Sequence, residues 1–71
     1  PVRSWLNFEI TGMSGTAKTS ILDLQGRIHS TAITKQASNR MNVSTLESGF
    51  YFLRVEDEDK RSKVIKFLKT E

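Results

Sequence analysis

Phe50-Tyr51-Phe52-Leu53-Arg54-Val55-Glu56 is the stretch on which the fold turns. Aromatic and β-branched residues dominate it, the types that suit a pleated, half-buried surface. With side chains alternating across a strand, Tyr51, Leu53 and Val55 face one way and Phe50, Phe52 and Arg54 the other. The turn Leu46-Glu47-Ser48-Gly49 precedes it, and the acidic run Glu56-Asp57-Glu58-Asp59 turns the chain after it. Rings on both faces leave two arrangements open. Either a twisted, partly closed sandwich buries the strand on both sides, or one face is an apolar patch that partners use.

The same period of two runs outward in both directions. Ser62 to Lys69 follows the acidic run, with Val64 and Leu68 opposite Ile65 and Phe67. Upstream, Leu6, Phe8 and Ile10 alternate with Asn7 and Glu9, and Thr11 to Gly15 is a loop. Lys18 to Leu24 and Arg27 to Thr34 are strands. They flank Asp23-Leu24-Gln25-Gly26, whose first Asp and last Gly suit a type I turn. Lys35 to Asn39 is polar and expected to be loop; Arg40 to Ser44 is a short strand with Met41 and Val43. No window is an amphipathic helix, and Ser44 to Glu47 offers one helical turn at most. No internal repeat is visible. Pro1 is expected at a sheet edge, where its missing N–H harms no ladder. Strands at this spacing with turn signals between them predict an all-β fold. The expected form is a small antiparallel Ig-like β-sandwich of about six to seven strands.

Size and composition exclude more than they assign. The 71 residues allow one domain. A chain this short buries only about 60% of its surface, leaving little stability for strained catalytic groups. There is no Cys and one His, so neither a disulfide, a thiolate metal site nor a multi-histidine site is available. No apolar run approaches the roughly 20 residues that span a membrane. A chain that begins on Pro1 without a signal peptide is expected to be a piece of something longer, a module rather than an enzyme. The net charge of +3 is scattered over residues 1–55, while residues 56–71 are neutral overall. That is a solubilising decoration, not the clustered patch of a phosphate footprint.

Four chemical motifs can be drawn and each has a plainer explanation. Gly12-Met13-Ser14-Gly15-Thr16-Ala17-Lys18-Thr19 approaches a P-loop, but Ala17 stands where the second glycine belongs and strand, not helix, follows. Asp23, His29 and a serine could make a triad, but composition alone supplies such trios. Glu56 to Asp59 could bind calcium, but it lacks the ligand spacing and turn glycine of an EF-hand and reads as a solvated hairpin tip. Asn42-Val43-Ser44 is a glycosylation triplet of the kind that chance supplies. No cofactor and no metal are expected.

The order of pieces along the chain carries a resemblance. It opens Pro1-Val2-x-x-x-Leu6-x-Phe8 and continues Ile21-Leu22-Asp23-x-x-Gly26-Arg27. Met41-x-Val43-Ser44-x-Leu46-x-x-Gly49-x-Tyr51-Phe52-Leu53-x-Val55 follows, and Lys63-Val64-Ile65-Lys66-Phe67-Leu68-Lys69 nearly ends the chain. This resembles the C-terminal sorting domain of the type IX secretion system, type A. The resemblance implies an Ig-like sandwich at the end of a larger cargo protein, one that does no chemistry and is read. The implied partners are the outer-membrane translocon, its shuttle proteins and a sortase that removes the domain from many members. Nucleic acid, small-molecule substrate and a direct membrane span are not among them. The implied itinerary is the periplasm, then the outer membrane and cell surface or release. Carried over by motif, the recognition residues are Asp23, Gly26, Arg27, Gly49, Tyr51, Lys63, Lys66 and Lys69. Their spacing puts Lys63 and Lys69 with Ile65 and Phe67, and Lys66 with Val64 and Leu68. Such mixing suits an edge strand, either guarded against aggregation or offered for strand addition. The competing expectations are a carbohydrate-binding sandwich with exposed coplanar rings and a small nucleic-acid-binding barrel.

Overall fold

The computed structural model describes residues 2–12 and 15–70 of the chain. Six strands follow one another: β1 (Trp5–Glu9), β2 (Ala17–Leu22), β3 (Ile28–Thr34), β4 (Ser38–Asn42), β5 (Gly49–Asp57) and β6 (Ser62–Lys69). β1 and β4 form a two-stranded sheet, and β3-β2-β5-β6 a four-stranded one; every pairing among these strands is antiparallel. The fold is the expected all-β sandwich, with one small layer over one larger layer. Pro1, Met13 and Ser14 lie outside the described residues, so the edge position expected for Pro1 is not among the features seen.

The alternation in β5 decides which side is core. Tyr51, Leu53 and Val55 are buried with Ile21 and Ala17 of β2 and Phe67 of β6. Leu6 and Met41, partners across the small sheet, close over them with Val43. Phe50 and Phe52 point away from this core, and Phe50 is 47% exposed. The rings on the two faces of β5 are therefore not both buried: the outer face of the large sheet is an exposed apolar surface. Val64 and Leu68 of β6 extend it.

Several boundaries differ from the sequence pattern by one or two residues, and two of them have a clear physical cause. Ser38 and Asn39 belong to β4 because they pair with Glu9 and Phe8, a long-range contact that local polarity does not announce. β2 stops at Leu22 because the Asp23 carboxylate folds back on the following turn. Ser44 to Leu46 is turn and bend, Glu47 is irregular, and no helix forms there.

Candidate recognition site

Both hairpins of the large sheet are closed by the same five-residue device. In Asp23-Leu24-Gln25-Gly26-Arg27, Asp23 Oδ1 accepts the N–H of Gln25 at 2.9 Å and of Arg27 at 3.0 Å. Its Oδ2 accepts Arg27 Nε–H at 2.8 Å. In Asp57-Glu58-Asp59-Lys60-Arg61, Asp57 Oδ1 accepts the N–H of Asp59 and of Arg61, each at 2.9 Å, and Oδ2 accepts Arg61 Nε–H at 3.1 Å. The fourth residue is left-handed in both, Gly26 at φ +84° and Lys60 at φ +64°. Only the first turn has the glycine that this conformation favours, which hid the repeat in the sequence. Asp57 is correspondingly buried, not part of a solvated tip. The two turns lie at opposite ends of the sheet, since Ala17 pairs with Asp57 while Leu22 pairs with Phe52. Beside the second turn, Glu58 accepts the backbone N–H of Thr16 at 2.6 Å and its hydroxyl at 3.0 Å. The Thr16 N–H is the chief reason that Glu58 titrates below the usual carboxylate range.

At the first turn the hairpin carries an extra residue. The register passes from Ile21↔Ser30 to Leu22↔Ile28, leaving His29 without a partner of its own. Such bulges re-aim a side chain. Here the His29 ring meets Asp23 Oδ2 at 2.9 Å and stands edge-on to Tyr51, with centroids 5.7 Å apart. The His29 hydrogen bond, then the Arg27 contacts, hold Asp23 far below the usual carboxylate range against its desolvation. Tyr51 donates its hydroxyl to Glu47 O at 2.7 Å and stacks on Phe67 at 5.8 Å. Gly49 begins β5 at φ +149° and pairs with Lys69, whose side chain is buried beside the same end of the core. A cleft of about 450 Å³ separates the turn at Asp23 from the loop at Leu46–Gly49.

Five of the eight motif residues, Asp23, Gly26, Arg27, Gly49 and Tyr51, thus gather at one end of the sandwich, with Lys69 beside them. Lys63 and Lys66 stand apart. Lys63 reaches Thr11 O at 3.3 Å near the other end, and Lys66 lies over the Phe50 ring on the outer face, 4.5 Å from its centroid.

All three lysines share β6, which is an outer strand of the large sheet. Val2 N–H donates to Leu68 O at 2.8 Å and Thr70 N–H to Val2 O at 2.7 Å, a parallel bridge centred on Lys69. Leu68 and Thr70 therefore aim their backbone groups away from β5. By the alternation of an antiparallel ladder, Lys66, Val64 and Ser62 do the same. Val2 covers only the C-terminal end of this edge, at Leu68 and Thr70. Among the described residues no backbone partner meets the outward groups of Val64 and Lys66. The side chains there are open too: Val64 is 59% exposed and Ile65 51%.

The model of the family described as secretion system C-terminal sorting domain matches residues 1–70. The chain belongs to that family. Comparison with curated proteins and with solved structures returns no match. The sorting domain is a C-terminal signal of the type IX secretion system, and it takes its parent across the outer membrane to the cell surface or into the medium. The family is not known for catalysis.

Among the described residues the other chemistries find no matching geometry. Ala17 to Thr19 lie in β2 and not in the helix a phosphate loop needs. His29 spends Nε2 on Asp23, and among the described residues no serine bonds to the imidazole. Asp57 spends both oxygens on its own turn, and no cluster fit for a metal occurs among the described residues. The rings do not share one face: Trp5 lies under Arg40 on the small sheet, Tyr51 and Phe67 are in the core, and Phe50 and Phe52 are on the outer face of the large sheet.

Proposed function

We propose that residues 1–71 act as one detachable unit at the end of a larger parent, and that the secretion machinery reads the unit by adding a strand to the open edge of β6. The observation that supports this is the outward row of backbone groups at Val64 and Lys66, beside exposed apolar side chains. Main-chain hydrogen bonds give such an addition its affinity, and pockets for alternate side chains give it specificity. Asp23, Gly26, Arg27, Gly49 and Tyr51 hold the far end of β5, against which Phe67 and Lys69 of β6 are registered. They act as positioning residues that fix where the edge lies. The domain itself carries no catalytic step. Its parent passes through the periplasm. Shuttle and translocon proteins of the outer membrane engage β6, and a sortase acts afterwards on the segment joining parent and domain.

The test uses a reporter enzyme fused upstream of residues 1–71. Removing Lys66–Glu71 abolishes export but also removes the buried Phe67 and Lys69. Val64→Pro separates the two effects. It deletes an N–H that points away from β5, so the β5–β6 ladder is kept, as expected of proline on an edge strand. Export lost in a folded Val64→Pro domain supports strand addition. Export kept by it removes that reading.

A further inference from the structure

The open segment of β6 is Lys63-Val64-Ile65-Lys66, bounded on one side by the turn at Asp57 and on the other by Val2. Its side chains alternate between the two faces of the sheet. Lys63 and Ile65 lie on the core side, opposite Val55 and Leu53, and Val64 and Lys66 on the outer side. An added strand would meet cation and apolar group on each face. Along its own sequence it would meet lysine, apolar, apolar, lysine.

β6 contains three lysines and no acidic residue. Pairing with a second copy of itself would set lysines across from or diagonal to lysines, and like charges on facing strands destabilise. Lysine on an edge strand is also the usual guard against self-association. The same pattern becomes attractive to a strand of opposite charge. We infer that the partner segment read by β6 is an extended strand of the pattern acidic, apolar, apolar, acidic, its carboxylates opposite Lys63 and Lys66 and its apolar side chains opposite Val64 and Ile65. The pattern is the same in both directions, so it fixes the register of the added strand and not its polarity. Val2 fixes the limit. A strand that runs past Lys66 toward Leu68 must displace Val2 from the Leu68 carbonyl and the Thr70 N–H. This inference rests on strand addition at β6 and names the partner's chemistry.

The test uses the 71-residue chain and two capped synthetic peptides, Thr-Glu-Val-Val-Glu-Thr and Thr-Lys-Val-Val-Lys-Thr. Amide exchange at Val64 and Lys66 reports the edge, and chemical-shift titration gives the affinities. At low salt the acidic peptide slows exchange at both amides and binds about tenfold or more tightly than the basic one. The ratio shrinks as salt screens these exposed charges. The double variant Lys63→Glu with Lys66→Glu, shown folded by its urea midpoint, reverses the order of the two peptides. Equal binding of both peptides, or an order that the double variant leaves unchanged, overturns the inference. Protection at Val64 and Lys66 that is the same with either peptide overturns the charge pattern while leaving strand addition standing. If Val64→Pro exports its cargo normally, strand addition itself falls.

Discussion

Leu53 and Phe50 sit three residues apart on the same strand and answer oppositely to truncation. Leu53 is 1% exposed and lies between Ile21 of β2 and Ile65 of β6. Leu53→Ala removes three buried carbon atoms and leaves a void that flanking strands cannot collapse into, at a cost of about 2–5 kcal/mol. A chain of 71 residues has a total stability of only about 4–10 kcal/mol. The substitution therefore removes about half of it. At about 4–8 °C per kcal/mol for a domain of this size, the melting midpoint falls by roughly 8–40 °C. Phe50 is 47% exposed on the outer face. Phe50→Ala forfeits part of one side chain's burial and an exposed contact with Lys66, about 1–2.5 kcal/mol together. Urea unfolding followed by far-UV circular dichroism measures both. A Phe50→Ala cost equal to that of Leu53→Ala would mean that the outer face is covered and that the exposed apolar surface does not exist.

The turns and the Tyr51 contact give three further expectations. Asp23 titrates lower in the folded chain than in the unfolded one, so its contribution to stability is complete above roughly pH 4 and is lost as the pH falls below that. Urea midpoints taken from neutral to acid pH show this decline, and Asp23→Asn flattens it while lowering the neutral value. Gly26→Ala forces a side chain into the left-handed region and costs about 1–2 kcal/mol; Lys60→Gly, at the matching position of the other hairpin, does not destabilise. Tyr51→Phe loses the hydrogen bond to Glu47 O and costs about 1 kcal/mol by the same unfolding assay, while export of a fused reporter stays at the parent level.

Period-two alternation is written residue by residue in the strands that bury one face, as in β5; β3 buries none of its seven residues, so no such pattern of burial marks it. What it could not place depends on partners distant in sequence. Ser38 and Asn39 look like loop until Glu9 and Phe8 are brought beside them. The twin of the Asp23 turn was hidden at Asp57, because Lys60 stands where a glycine would have marked the left-handed residue. The bulge that turns His29 onto Asp23 leaves no compositional trace, since one extra residue in a strand changes register and not residue type. The lysine spacing did put Lys66 on one face and Lys63 and Lys69 on the other, but it did not show that Lys69 is buried. The family motif named residues without their places. The structure separates those that gather around the Asp23 cleft from the lysines that mark the edge.

Export of a reporter fused to the Val64→Pro domain is the most direct measurement of the whole. The variant keeps the core, both turns and the β5–β6 ladder, and removes one outward N–H from the strand edge. Once the purified domain is shown to unfold at close to the parent urea midpoint, reporter activity is compared between the periplasm and the cell surface plus medium. If the edge of β6 is what the secretion machinery reads, the reporter stays in the periplasm. If it reaches the surface at the parent level, the edge of β6 is not the recognition element.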